Sequence, residues 1–290
     1  GHKMCSMMAI PILYELDFLG IIVVKKTAIS KSFGERELHL LSNVANKSAM
    51  FIRNSQIAKR VTRESLNRER FRKIVSPEVA EMIVSGQVAV EPRGQLRDTA
   101  VMVAVLLNFS ELSEFSAPDI ILETLNLCFE TLVEPIFRLE GMVDHCGGDR
   151  LQAVWGAPLA HEDDPIRAVR AALDMGKQIE AFNRKLSPRH IGPFKIGIGI
   201  DTGAAVAGNL GAGWTSRYTI IGDVMGSANA LASSAEADQT VISENVYYIV
   251  RRAFDAVPLD AISYRGASIN RYGVLAERPS SADTSWTHLG

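Results

Sequence analysis

The 290-residue chain sets 31 Lys and Arg against 33 Asp and Glu, so its formal net charge of −2 gives no reason to expect nucleic acid as a bulk partner. A hydrophobic share of 47% can bury one sizeable core plus an appendage, yet no apolar run approaches the ~18 residues that a bilayer span needs, and no signal-peptide pattern is present. The three cysteines, Cys5, Cys128 and Cys146, are odd in number and widely spaced, which argues against a disulfide framework and for a reducing, cytoplasmic compartment.

Because the chain opens on Gly1 rather than methionine, the expectation is a fragment of a longer protein, and the full-length protein could still be membrane-attached. Met7–Glu15 and Ile21–Lys26 are β-rich, with Asp17-Phe-Leu-Gly20 as the turn between them. Phe33-Gly-Glu-Arg-Glu37 then opens a helix whose positions Leu38, Leu41, Ala45, Ser48 and Ile52 keep a seven-residue repeat. The stretches Ala9-Ile-Pro-Ile12, Gly20-Ile-Ile-Val-Val-Lys-Lys26 and Phe33-Gly-Glu-Arg-Glu-Leu-His-Leu-Leu41 together resemble the C-terminal third of a GAF sensor domain. That resemblance assigns residues 1–57 to the C-terminal part of a GAF-like domain and leaves its ligand unnamed.

Residues 58–96 read as a helical signalling linker. Lys59–Lys73 is strongly basic, with Glu64 and Glu69 as its acids, and is read as the solvated face of a connecting helix. Ser76-Pro77-Glu78 is an N-cap followed by proline at the first helical position, opening a helix over Val79–Val84, and Gly86 and Gly94 punctuate the exit.

A strand at Val101–Leu107, apolar on both faces, leads to a helix over Ile120–Glu140 and then to a hairpin over Gly141–Pro158. In the hairpin, two strand-like halves flank Gly147-Gly148-Asp149. The glycines let backbone amides approach an anion, and the aspartate is placed to hold a hard cation. His161-Glu-Asp-Asp164 caps a helix that begins at Pro165. Strands follow at Phe194–Ile200, near Ala204–Ala207 and at Tyr218–Ile221. A helix over Val224–Ala235 and smaller elements to about Leu275 complete the pattern, and the Ser/Pro-rich tail, 277–290, is expected to be disordered. Helices alternating with strands imply an α/β (α+β) class with a ferredoxin-like βαββαβ order.

Several segments of this region, in order, resemble the catalytic domain of class III adenylate/guanylate cyclases. The hairpin follows the pattern V-D-K-x-x-G-D-x-x-M-A-V-F-G-A-P. Phe109-Ser-Glu-Leu-Ser-Glu114 follows G-F-T-x-L-S-E, and His161–Arg170 follows H-E-D-x-x-x-R-A-V. Ile196-Gly-Ile-Gly-Ile-Asp-Thr-Gly203 with Gly208-Asn-Leu-Gly211, and Tyr218-Thr-Ile-Ile-Gly-Asp223, follow the two later signatures. The resemblance spans 97–276. It implies a homodimer or heterodimer with two composite sites, each fed by both chains. One chain supplies two aspartates for two divalent cations. The other supplies purine-reading residues, a ribose-orienting asparagine and an arginine that stabilises transition-state charge. The reaction so implied is attack of the ribose 3′-oxygen on the α-phosphate, with pyrophosphate leaving.

The same alignment exposes three substitutions. Counting back from Phe109 puts Val105 at the first metal aspartate, and an aliphatic group cannot ligate magnesium. After Gly222-Asp223 the family reads x-V-N-x-A-x-R, whereas this chain places Gly226 at the asparagine and Ala230 at the arginine. Asn229 stands three residues beyond Gly226, roughly 4.5 Å along a helix axis, as a partial substitute. Asp149 matches the second metal aspartate, so a magnesium or manganese ion would find one carboxylate and a weak site. No cofactor is firmly implied.

A nucleotide-binding remnant would comprise His145 at the purine lysine, Thr219 at the base-discriminating position, Asn229, and Arg265 at a phosphate-binding position. Asp144, His145, Cys146 and Asp149 do not make a single transition-metal site, because neighbours on a strand point to opposite faces. The expectation is a degenerate, catalytically silent cyclase-like domain (a pseudoenzyme) acting as a dimerisation, nucleotide-sensing or relay module. The alternative is an active adenylate cyclase converting ATP to cyclic AMP and pyrophosphate with a divalent metal.

Overall fold

A computed structural model describes residues 6–26, 33–71, 73–88, 94–114, 118–186, 193–211 and 217–279. Cys5 and residues 280–290 of the expected tail lie outside the described residues, as do most side chains of the basic run after Lys59. The chain divides into two compact units, Gly1–Glu69 and Arg70–Gly290.

In the first unit, strands β1 (Ser6–Tyr14) and β2 (Asp17–Lys26) pair antiparallel, and helix α1 starts at Glu35 and runs to Phe71. The hairpin turn falls at Glu15 and Leu16, not at Asp17–Gly20. Tyr14 pairs with Asp17, and Glu15 adopts a left-handed φ of 53°, so the apolar run from Asp17 is free to join the ladder. Alternation sends Ile10, Ile12 and Tyr14 to one face, where they meet Ala45, Ala49 and Ile52 of α1. The expected boundary at residue 57 coincides with no break in α1.

The second unit is a mixed α+β domain. After α2 (Pro77–Val84) come β3 (Gln95–Leu106), α3 (Phe109–Glu114), α4 (Pro118–Arg138), β4 (Met142–Gly147), β5 (Arg150–Trp155) and α5 (Asp164–Lys185). These are followed by β6 (Ile196–Leu210), β7 (Arg217–Ile221), α6 (Asp223–Ser233), β8 (Gln239–Ser243), α7 (Glu244–Val250), β9 (Phe254–Tyr264) and β10 (Ala267–Glu277). The sheet order is β4-β5-β3-β6-β8-β10-β9, with β7 added to β6. Its first four strands, with α4 and α5 as crossovers, form the ferredoxin-like βαββαβ order expected from the sequence.

β3 is apolar on both faces because both faces are covered. Ala100, Met102, Ala104 and Leu106 enter a core with Leu132 of α4 and Met175 of α5. Val101, Val103 and Val105 enter a second core with Phe71, Val79, Tyr218, Val224 and Ala228. The two strands expected near Phe194–Ile200 and Ala204–Ala207 are one strand, β6, since the intervening Asp201, Thr202 and Gly203 stay on the β3 ladder opposite Val101, Ala100 and Thr99. Gly199 is required here: a β-carbon on it would overlap the backbone of Ala228 and Ala232, so α6 lies directly on the strand.

Ser76 caps α2 as expected, its hydroxyl accepting from the Val79 amide at 3.4 Å, with proline next in line. α5 begins one residue before Pro165, and its Asp163 N-cap makes no side-chain cap bond. Instead the His161 amide donates to Asp164 Oδ2 at 2.9 Å, and Arg167 bridges Asp163 at 2.7 Å and Glu140 at 2.5 Å. Among the described residues no helix is long and apolar enough to cross a membrane.

Candidate functional site

The hairpin β4–β5 turns at Gly148 and Asp149, with Gly147 facing Arg150 across the ladder and Gly148 at φ 63°, a conformation that glycine adopts without strain. The turn is anchored to the end of β3, because the Leu106 amide donates to the Asp149 carbonyl at 2.8 Å. Residues 105 and 149 are therefore neighbours, as a shared site requires. Val105 is buried, and its cross-strand partner on β5 is Arg150. Directly opposed residues share a face of the sheet. The Arg150 guanidinium thus lies on the face where Val105 packs, over the turn that carries Asp149.

Arg150 is held on two sides. Its Nε lies 3.3 Å from Asp149 Oδ1, and its Nη1 donates to Asn229 Oδ1 of α6. A magnesium or manganese ion needs several oxygen ligands. Here position 105 offers hydrocarbon, the Asp149 carboxylate is paired with a guanidinium, and among the described residues no three His, Cys, Asp or Glu side chains gather as a ligand group. These residues do not fit a two-metal centre.

α6 follows a Gly222 N-cap in extended conformation. Gly226 and Ala230 lie one turn apart on it, half-buried. The place where a side chain on residue 226 would project is taken by the Tyr264 phenol: a β-carbon there would collide with the Tyr264 hydroxyl and would sit 2.9 Å from Cζ. Next to Tyr264, the Arg265 guanidinium stacks 5.6 Å above its ring and pairs with Asp223 at 2.8 Å. The tip of the β9–β10 hairpin thereby closes over the first turn of α6. Ala230 carries no charge or hydrogen-bonding group, and the Asn229 amide oxygen is turned to Arg150.

The residues placed at base-reading positions are separated by burial. Thr219 on β7 and Asp144 on β4 are both buried, and the Thr219 hydroxyl donates to Asp144 Oδ1 at 2.5 Å. His145 is exposed beside them. Cys146 is exposed, and partial burial raises its thiol pKa. Cys128, beneath it in the core, is pushed up to about 12 by burial and by the neighbouring Cys146.

Sequence reasoning missed three features. Arg150 was legible as a cation immediately after the turn aspartate. Tyr264 carried no signal, since its target is 38 positions away by subtraction of Gly226 from Tyr264. Asp201 reads as a strand residue, yet it is buried, and its carboxylate accepts from the Ser227 hydroxyl, from the Ser243 hydroxyl at 2.6 Å and from the Thr202 amide at 2.8 Å. That carboxylate ties α6 to β6 and β8.

Comparison with known proteins gives this geometry a context. A family model described as Adenylate and Guanylate cyclase catalytic domain matches residues 91–276. "Adenylate cyclase 1" of Rhizobium meliloti (strain 1021) is 30% identical over 135 residues, which is 47% of this chain and 20% of that protein. "Uncharacterized protein Rv1320c" of Mycobacterium tuberculosis (strain ATCC 25618 / H37Rv) is 28% identical over 174 residues, 59% of this chain and 29% of its own length. The chain thus spans under a third of these curated relatives.

Among solved structures, the adenylyl cyclase CyaB from P. aeruginosa superposes with a TM-score of 0.61 at 26% identity, covering 64% of this chain and 97% of its own. A dimeric guanylyl cyclase domain of the RhoGC fusion protein from Blastocladiella emersonii shares the fold with a TM-score of 0.57 at 23% identity, over 63% and 99% of the two chains. A monomeric form of that fungal domain shares it too, with a TM-score of 0.54 at 22% identity over 64% and 99%.

Proposed function

Since the chain belongs to the adenylate and guanylate cyclase catalytic-domain family, we propose that it is a catalytically silent member, a cyclase-like module that dimerises and relays or senses signals without turnover. The observation that carries this reading is the pairing at Val105: a buried hydrocarbon stands where the first cation needs a carboxylate, and the second carboxylate, Asp149, is held by Arg150. Gly226 and Ala230 supply neither the amide nor the guanidinium that the family resemblance calls for. Removing one preorganised donor typically lowers a rate by ~10²–10³, and here donor and cation sites are altered together.

Pairing with an intact partner would not restore chemistry. One composite site would receive the partner's aspartates but lack this chain's asparagine and arginine. The other would lack this chain's first aspartate. The partner is a second copy or a related cyclase domain, and the ligand, where one binds, is a nucleotide contacting His145, Thr219, Asn229 and Arg265. Residues 1–57 act in this reading as the end of a GAF-like sensor, and 58–96 pass its state on as a change in helix packing.

The rival reading, an active adenylate cyclase, draws on the name of the Rhizobium meliloti relative. Incubating the purified protein with Mn²⁺ and ATP, with Asp149→Ala as the control, separates the two. Equal product from both proteins supports silence, and Asp149-dependent cyclic AMP supports the rival. Titration with nucleotide under the same conditions, read by calorimetry, decides between a sensing role and a purely structural one.

A further inference from the structure

We infer that Arg150 is a resident cation, bound by Asp149 and Asn229, which takes the place of a divalent ion between the hairpin turn and α6 and keeps such ions out. The inference rests on reading positions 105 and 149 as the family's two metal positions. Everything else comes from the placement of the guanidinium itself.

Arg150 follows Asp149 in the chain and faces Val105 across the β3–β5 ladder, so it stands between the two positions that a divalent ion would bridge. The oxygens it engages are those that a hard cation would choose: a carboxylate at 3.3 Å from Nε and the amide oxygen of Asn229 at Nη1. Val103 and Val105 in the hydrocarbon layer below give the guanidinium no deeper polar site, and a third of the side chain remains exposed, at 33%.

Charge makes the exclusion effective. The Asp149–Arg150 pair is neutral, so nothing draws a doubly charged ion to the turn, and any ion that came close would meet a like charge. The guanidinium is also covalently part of the chain, so this cation is never lost by dilution or chelation. Its planar fork reaches two acceptors at once and joins β5 to α6 across 79 positions of sequence. The fold therefore keeps the hairpin and the helix together with no dependence on metal.

The test uses the whole chain and Mn²⁺ alone, without nucleotide. Electron paramagnetic resonance of free Mn²⁺ titrated with wild-type protein is expected to show no saturable site that Asp149→Asn abolishes. A stoichiometric, Asp149-dependent site in the wild type overturns the inference. Arg150→Ser uncovers the carboxylate and the amide oxygen. Its melting temperature is expected to fall by several degrees, and millimolar Mn²⁺ is expected to restore part of the loss, with no restoration in Arg150→Ser/Asp149→Asn.

A folded Arg150→Ser that ignores Mn²⁺ contradicts the inference. Should Arg150→Ser not fold, Arg150→Lys keeps the charge and decides: indifference to Mn²⁺ supports the resident cation, and Mn²⁺ binding overturns it. Turnover by the wild type that needs Mn²⁺ and Asp149 would sink both readings, because an ion would then be held at the turn. An Mn²⁺ site in the wild type would sink this one while Gly226 and Ala230 still argue for silence.

Discussion

The phenol of Tyr264 occupies the space into which any side chain on Gly226 would project. The two residues come from the end of β9 and the first half of α6, and their fit makes position 226 more than a missing asparagine. Gly226→Asn is expected to lose roughly 1–3 kcal/mol through overpacking, read as a lower denaturant midpoint. Tyr264→Ser should leave room for it, so Gly226→Asn/Tyr264→Ser is expected to be more stable than the sum of the single losses. Simple additivity would show that the two residues do not compete for space.

The Thr219–Asp144 bond is a buried hydroxyl donating to a buried carboxylate. Thr219→Val keeps the shape and removes the donor, leaving an acceptor in the core with one partner fewer. Urea unfolding is expected to show a loss of roughly 1–3 kcal/mol, with Thr219→Ser recovering most of it. Equal losses in both variants would assign the effect to packing instead.

How far the sequence reached can be judged from these residues. The apolar run of β3, the glycine turn and the ferredoxin-like order were legible because each rests on local periodicity or turn chemistry. The position of the first hairpin turn was misjudged, since Asp17–Gly20 looked turn-forming while Glu15 in fact absorbs the left-handed conformation. Val105, Gly226 and Ala230 could be named as substitutions by counting along the motifs of the family that the chain resembles. What fills their surroundings could not: Arg150 reaching Asn229, Tyr264 reaching Gly226 and Ser243 reaching Asp201 join segments far apart in sequence, and no periodicity encodes them.

The two cysteines in the second unit should behave differently. The Cys128 thiol is buried and pushed up to about 12 from an ordinary 9.0, so its thiolate is scarce in the folded protein. Thiol titration of the native protein is expected to modify Cys146 and to spare Cys128 until denaturant is added. The contribution of Cys128 to stability is full below pH 9.0 and is lost as pH rises towards about 12. Cys128→Ser should flatten that alkaline decline.

The start of α5 sets two neighbouring aspartates in opposition. The hydrogen bond from Arg167 holds Asp163 below the usual carboxylate range, while burial pushes Asp164 above it. Asp163 therefore adds stability above the ordinary value of 3.8, which is lost as pH falls through its lower folded value. Asp164 does the reverse: its contribution is full below 3.8 and fades as pH rises through its raised folded value. Thermal melts across this range should show Arg167→Ala costing about 1 kcal/mol at neutral pH and less in acid, as a half-exposed pair would. Asp164→Asn should stabilise at neutral pH and lose that advantage in acid.

Catalytic silence is tested most directly by measuring cyclic AMP and cyclic GMP formed by the purified dimer or monomer from ATP and GTP in Mn²⁺, beside Asp149→Ala. Both proteins are expected to give the same background. Product that requires Mn²⁺ and vanishes in Asp149→Ala would contradict silence, because a working cation would then have been held beside Val105.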